Sequence, residues 1–108
     1  MAAFERLKAA WTWRPLPNCP GRFVLRDAPQ DLDPRVLLGP DADFCRFTVP
    51  ATPDPVVVAR LDNGGLISYQ HADGTYVHTL NTSEGFARKL SQLGIPLDAI
   101  PSSPRPAR

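Results

Sequence analysis

The chain has 108 residues and a formal net charge of +1, with 43% hydrophobic and 21% charged residues. This length suits one domain that buries a core without obligatory disulfides or metals, and the composition argues against wholesale disorder. Because the charge is nearly balanced and no run of basic residues is present, the sequence excludes a protein that is held to polyanions by bulk charge alone.

Thirteen prolines are clustered between residues 15 and 55 and again between 96 and 106. Proline removes a backbone donor and fixes φ, so these clusters predict a long irregular connection and a loose C-terminal end. We therefore assign residues 1–96 to a single compact domain and residues 97–108 to a flexible proline-rich tail.

The N-terminal segment has no continuous apolar core and no small-residue cleavage site, so it is not typical of a secretory signal. No apolar run reaches the roughly 18 to 20 residues that a membrane span needs. We expect a cytoplasmic protein with no membrane partner. Cys19 and Cys45 are then expected to be free thiols, with Cys19 exposed in a turn and Cys45 in the core.

Four segments are predicted in the first half of the chain. Phe4, Leu7 and Trp11 are spaced by three and four residues, which predicts an amphipathic helix over residues 2–12. The proline-rich "TWRPLPNCPGR" breaks this helix, and "RFVLR" then predicts a short strand. Residues 27–43 are turn-rich with a helical turn favoured in "DPRVLLG", and the alternation in "DFCRFTV" predicts another strand.

The clearest pattern lies between residues 56 and 80. "VVVARL", "GLISYQ" and "TYVHTL" are strand-like, and the intervening "DNGG" and "HADG" are hairpin signals. A helix over residues 83–93 follows, with Phe86, Leu90 and Leu93 on one side. The predicted fold class is α+β: an antiparallel β-meander of four to five strands packed by a C-terminal helix, with an N-terminal amphipathic helix.

The strand register decides which side chains are buried. A two-residue loop at Asp73-Gly74 would pair His71 with Tyr76 and Tyr69 with His78. A three-residue loop at 63–65 is preferred in the first hairpin, because the strict two-residue Asn-Gly turn would place Arg60 opposite Ile67. The predicted buried face carries Val57, Ala59, Leu61, Ile67, Tyr69 and Leu80, and the exposed face carries Ser68, Gln70, Thr75, Val77 and Thr79.

The sequence has no complete pattern for a metal site or for an activated nucleophile. His71 and His78 share the predicted face, but neither they nor the cysteines show the paired CxxC or HxxxH spacing that organises zinc sites. Cys19 has no base placed beside it by sequence, so an enzyme using this thiol is the third choice. The Asp-x-Asp pairs at 31–33 and 41–43 lack the glycine and glutamate of a calcium loop. We predict no metal, no cofactor and no catalytic residue.

The N-terminal region combines aromatic and basic side chains, as nucleic-acid-binding surfaces do. The opposing interpretation is that Trp11 anchors the helix and Trp13 packs over the proline-rich turn. The candidate binding residues from the whole sequence are Trp13, Arg14, Arg22, Arg60, His71 and Tyr76.

We predict a small non-enzymatic cytosolic protein-interaction module. Its surface is expected at the sheet edge, at the acidic loop 27–43 or around Trp13, and its partner is another protein or a second copy of the chain. A nucleic-acid-binding protein that uses the aromatic and basic N-terminal patch is the alternative.

Overall fold

The computed structural model describes residues 3–39 and 43–101. Its helices are α1 (Ala3–Ala10), α2 (Pro34–Leu38) and α3 (Ser83–Leu93), and its strands are β1 (Thr12–Pro15), β2 (Arg22–Arg26), β3 (Cys45–Phe47), β4 (Val56–Leu61), β5 (Gly64–Gln70) and β6 (Tyr76–Thr82). The strands form one antiparallel sheet in the order β1-β2-β6-β5-β4-β3. The predicted α+β class is confirmed, with six strands instead of four to five.

The additional strand is β1, which lies in a segment that the sequence predicted to be irregular. The amide of Leu16 donates to the Arg22 carbonyl across the β1–β2 pair. In an antiparallel pair every second residue makes such bonds, so the backbone nitrogen of Pro15 faces away from β2. Proline is tolerated there because an edge strand needs no donor on its open side. The proline cluster therefore shapes the edge and the following loop without abolishing the strand.

The meander is confirmed, but the predicted register of its second hairpin was wrong by one residue. Gln70 pairs with Tyr76 and Ser68 pairs with His78. The Gly74 amide donates to the His71 carbonyl, and Gly74 has φ 90°, so the loop is a turn followed by a left-handed glycine. This three-residue loop is one residue longer than the two-residue loop that was expected.

The first hairpin also differs from both registers that the sequence suggested. Leu61 pairs with Gly64 and Val58 pairs with Ile67, which leaves a two-residue loop of Asp62 and Asn63. Asp62 Oδ1 accepts a hydrogen bond from the backbone amide of Phe4 at 3.2 Å. This contact satisfies one of the free amides in the first turn of α1, so the hairpin loop also fixes the position of that helix.

Both faces of the sheet are buried, which corrects the expectation of one buried face. The α3 face is the side on which α3 packs, and its core contains Val49, Val56, Val58, Ile67, Phe86, Leu90, Leu93, Ile95 and Ile100. The α1 face is the opposite side, and its core contains Phe4, Leu7, Leu37, Ala59, Leu61, Leu66 and Leu80. Ile67 and Leu80 therefore lie on opposite faces.

The expected exposure of Thr79 was also wrong. Thr79 is 2% exposed and Asn81 is fully buried, both on the α3 face. Thr79 Oγ1 donates to the Ile67 carbonyl at 2.9 Å, and Arg22 donates to Thr79 Oγ1 and to Asn81 Oδ1. These bonds compensate the buried polar atoms, so the residues can sit beneath a helix.

The C-terminal helix has the predicted bounds, Ser83–Leu93. Thr82 caps the start of α3 by accepting from the Gly85 amide, and Gly94 ends it with φ 77°. Past it, Leu97–Ala99 form a 3-10 helix and Ile100 is 1% exposed in the α3-face core. The first residues of the predicted tail, 97–100, are therefore held against the domain by the buried Ile100. The part of the tail beyond residue 101 lies outside the described residues. No described helix is long and apolar enough to cross a membrane.

Candidate binding groove

A concavity beside the predicted site residues His71 and Tyr76 is formed where β2 and β6 separate. Their pairing runs from Arg22–Asn81 to Val24–Thr79 and then stops, although β2 continues to Arg26 and β6 extends back to Tyr76. The chain leaves β2 after Arg26 and returns to β6 through residues 27–33. The separation leaves a groove of about 320 Å³ in the plane of the sheet.

The groove, called the β2–β6 groove below, has mixed walls. Val24 and Arg26 lie along its β2 side, and Val77, with 40% exposure, lies along its β6 side. Pro29 and Gln30 contribute the outer wall, where the Tyr76 amide donates to the Gln30 carbonyl at 2.7 Å. The groove therefore combines apolar side chains with one arginine and backbone from an irregular loop.

His78 holds this loop against the sheet. Its Nε2 lies 2.7 Å from the Leu32 carbonyl and its Nδ1 lies 2.7 Å from Ser68 Oγ. Because a carbonyl oxygen only accepts, Nε2 must carry the proton and donate to Leu32, so Nδ1 accepts from the Ser68 hydroxyl. Both ring nitrogens are thus occupied, in a side chain that is 3% exposed.

Burial of the imidazole lowers the pKa of His78 below its usual 6.5, against the opposing effects of the Leu32 carbonyl and Asp33. The folded state therefore favours neutral His78, and this contribution to stability is full above about pH 6.5 and is lost as the pH falls through the folded pKa. We expect urea denaturation to show a lower free energy of unfolding at about pH 5.5 than at 7.5.

The matched variant for this pH dependence is His78→Gln, whose amide can still donate toward Leu32 but does not titrate. We expect its free energy of unfolding to fall less over the same pH interval, even if the variant is less stable at neutral pH. A slope equal to that of the wild type would show that His78 is not responsible.

Tyr76 and His71 complete the groove at the hairpin end. The Tyr76 ring stacks on the His78 ring with centroids 5.3 Å apart and an interplanar angle of 14°. His71 Nδ1 lies 2.8 Å from Asp54 Oδ2, in a side chain that is 38% exposed. Two of the predicted binding residues, His71 and Tyr76, therefore line one site.

The other four predicted binding residues are not brought to that groove. Trp13 is half-buried on the α1 face, where its Nε1 donates to the Leu7 carbonyl at 3.0 Å. Arg14 and Arg22 belong to the α3 face of β1 and β2, beside the groove. Arg60 lies on the same face as Arg22, but two strands intervene between them.

The structure gives no support to a shared site for histidines and cysteines. Among residues 3–39 and 43–101, no three His, Cys, Asp or Glu side chains are grouped so that they could hold a metal ion. Cys19 and Cys45 are both free and half-buried, so the predicted difference in exposure between them was wrong. Cys45 belongs to the three-residue edge strand β3, where it pairs with Val58 of β4.

Sequence reasoning missed Val24, Arg26 and Val77 as binding residues, although it named the loop 27–43, whose first part closes the groove, as an expected surface. The signal that could have located them is the segment "RDAPQ", which places a turn-forming Asp and a proline directly after the β2 pattern. Asp27 indeed has φ 56°, and the chain turns away from β6 at that point. The turn after β2 can be predicted from this segment. That β6 is the strand beside β2 cannot, because strand pairing depends on distant parts of the chain.

No family model, curated protein or solved structure matches this chain. The function is therefore inferred from the geometry of the groove and its surroundings.

Proposed function

We propose that the protein is a small non-enzymatic protein-interaction module that binds an extended segment of another protein in the β2–β6 groove. The observation that carries the proposal is the early end of the β2–β6 pairing. Within the described chain, no strand pairs with the β2 side of β6 from Tyr76 to His78, where the Tyr76 amide donates to the Gln30 carbonyl of the loop. Strand segments of this kind are where extended peptides are commonly bound, because backbone and side-chain contacts can form together.

The walls of the groove suit such a segment. An extended peptide points successive side chains in opposite directions, so one apolar side chain can contact Val24 and Val77 while its neighbours remain in solvent. Val77 is one of few large apolar side chains that the described structure leaves substantially exposed. Covering it would remove apolar area from water, which favours association.

The positions of serine, cysteine and histidine in the described residues support a binding role rather than nucleophilic catalysis. Ser68 and His78 are hydrogen-bonded, but Ser68 is fully buried and both nitrogens of His78 are engaged. No hydrogen bond joins Cys19 or Cys45 to a histidine within the described chain. Within the described chain, neither Ser68 nor a cysteine is therefore both open to a substrate and paired with a histidine base, the pairing that activates such nucleophiles.

The nucleic-acid alternative is less favoured by the positions of its residues. Trp13 and Arg14 are adjacent in β1, so their side chains project to opposite faces of the sheet. The indole of Trp13 also packs beneath α1. One strand of nucleic acid could not stack on Trp13 and contact Arg14 without wrapping the sheet edge. We place the module in the cytoplasm, where the free Cys19 and Cys45 would remain reduced.

The test is selection of peptides from a random library displayed on phage, using the wild-type protein as bait. Selected peptides are then titrated against Val77→Gln and against Leu97→Gln, a matched change at a residue that is 38% exposed outside the groove. We expect Val77→Gln to weaken binding about fivefold, because it removes a partly exposed apolar contact, and Leu97→Gln to leave it unchanged.

Failure to enrich any peptide, or equal binding by both variants, would contradict the proposal. A concentration-dependent dimer that Val77→Gln disrupts and Leu97→Gln does not would identify a second copy of the chain as the partner.

A further inference from the structure

Three arginines are grouped on the α3 face beside the β2–β6 groove. Arg14 of β1 is paired with Val24 of β2, and Arg22 and Arg26 lie two residues to either side of Val24. In an antiparallel pair, such diagonal positions are about 7 to 8 Å apart, so Arg14 lies close to both of the others. We call this group the arginine triangle.

Two members of the triangle, Arg14 and Arg26, lie on a part of the sheet that α3 does not cover, and Arg22 lies at the margin of the covered part. The helix packs on β5 and β6, and Arg14 and Arg26 are exposed. The side chains that β1 and β2 present on this face are Thr12, Arg14, Arg22, Val24 and Arg26, and none of them is acidic. Three arginines therefore flank one aliphatic residue, Val24, on this face.

The guanidinium groups retain capacity for a ligand. Within the described chain, Arg14 and Arg26 form no ion pair. Arg22 uses Nε and Nη2 to bind Asn81 and Thr79, so its Nη1 has no intramolecular acceptor there. The bonds to the buried Asn81 and Thr79 also hold Arg22 in one orientation, which reduces the entropy lost when a ligand binds.

We infer that the arginine triangle recognises aspartate or glutamate side chains of the segment that occupies the groove. This inference rests on the proposed function and specifies its partner as an acidic segment. Arg26 lines the groove and belongs to the triangle, so a segment that leaves the groove across β2 passes directly over these arginines. Guanidinium groups bind carboxylates through paired charge-assisted hydrogen bonds.

The spacing agrees with this ligand. Side chains on one side of an extended peptide recur about every 7 Å, which is close to the diagonal separation of arginines in the triangle. Acidic residues at alternate positions can therefore contact two arginines, while an apolar residue farther along the same side of the segment contacts Val77.

Nucleic acid is the less suitable anion because this face of β1 and β2 has no aromatic side chain. Trp13 and Phe23 project to the α1 face, and Lys8 Nζ lies 4.6 Å from the centroid of the Phe23 ring. Single-stranded nucleic acids gain much of their affinity by stacking bases on aromatic rings. The triangle offers charge and an aliphatic contact, which an acidic protein segment can use.

The test uses three fluorescent probes: the peptide Glu-Ser-Glu-Ser-Val, whose glutamate and valine side chains share one side of an extended chain, the same peptide with glutamine in place of glutamate, and a single-stranded oligonucleotide of equal charge. Anisotropy titrations are made with the wild type, Arg14→Gln, Arg26→Gln and Val77→Gln. Arg6→Gln is the matched control, since Arg6 is exposed on α1 away from the triangle.

We expect the glutamate peptide to bind more tightly than the glutamine peptide and to weaken with added salt. Arg14→Gln and Arg26→Gln should each weaken it about threefold, whereas Arg6→Gln should have no effect. Equal affinity for the two peptides, or equal effects of the three arginine variants, would overturn the inference. Tighter binding of the oligonucleotide would also overturn it, in favour of nucleic acid.

The same titrations separate this inference from the proposed function. If both peptides bind equally and only Val77→Gln weakens them, the groove is retained and the role of the triangle fails. If Arg14→Gln and Arg26→Gln weaken the glutamate peptide but Val77→Gln does not, the triangle binds carboxylates and the groove proposal fails. If neither peptide binds, both proposals are contradicted.

Discussion

Leu80→Ala and Leu90→Ala are each expected to lower the free energy of unfolding by about 2 to 5 kcal/mol, measured by urea denaturation. Leu80 is fully buried and Leu90 is 1% exposed, so each truncation removes apolar contacts and leaves a cavity. Val36→Ala is the control, because Val36 is 61% exposed on α2, and its effect should be within about 0.5 kcal/mol.

The two losses are also expected to add. Leu80 lies in the core between the sheet and α1, whereas Leu90 lies in the core between the sheet and α3. Residues without shared contacts usually have additive effects to within about 0.5 kcal/mol. A coupling energy of about 1 kcal/mol or more in the double variant would place both leucines in one core, as the sequence alone suggested.

Gly64→Ala is the second substitution with a large expected effect, at about 3 kcal/mol or more. Gly64 has φ 151°, a conformation that residues with a side chain rarely adopt. A Cβ atom at this position would also overlap the carbonyl oxygen of Asn81 on the neighbouring strand. The obstacle is backbone in the middle of the sheet, so it cannot be relieved by rotating a side chain.

Gly74→Ala is the matched control for Gly64→Ala. Gly74 has φ 90°, but no atom lies within 4 Å of the position that a Cβ would take. Its cost should therefore be backbone strain alone, about 1 kcal/mol. If the two variants were equally stable in urea denaturation, the close approach of Gly64 to β6 would be wrong.

The element types were predictable because their signals are local. Alternating apolar residues and the Asp-Gly turn identified the last three strands, and the spacing of Phe86, Leu90 and Leu93 identified α3. The N-terminal helix also followed from periodicity, although it ends at Ala10 rather than at residue 12. These patterns depend on the geometry of one element and not on its neighbours.

Register was not predictable from the same signals. The first loop is Asp62-Asn63 because Gly64 packs against β6 and Asp62 contacts α1, and both contacts come from distant parts of the chain. The second loop gains one residue because Gly74 adopts a left-handed conformation after the turn. A shift of one residue exchanges the two faces of a strand. Thr79 was therefore expected at the surface but lies in a buried hydrogen-bond network.

The candidate site was only partly visible in the sequence. His71 and Tyr76 were identified from their position around the turn, and Arg14 and Arg22 from their basic character. The groove itself depends on where β2 leaves β6, and the loop that closes it is held by Leu32, which is remote from His78 in sequence. Arg26 was overlooked because nothing local distinguishes it from other surface arginines.

The most direct test of the central claim, that the β2–β6 groove is the binding site, is an NMR titration of 15N-labelled protein with a peptide selected against the wild type. We expect the largest chemical-shift changes at the amides of Arg26, Val77 and His78, with none at Val36 on α2. Changes centred on α2 or on the opposite sheet edge at β3, with the groove amides unmoved, would contradict the claim.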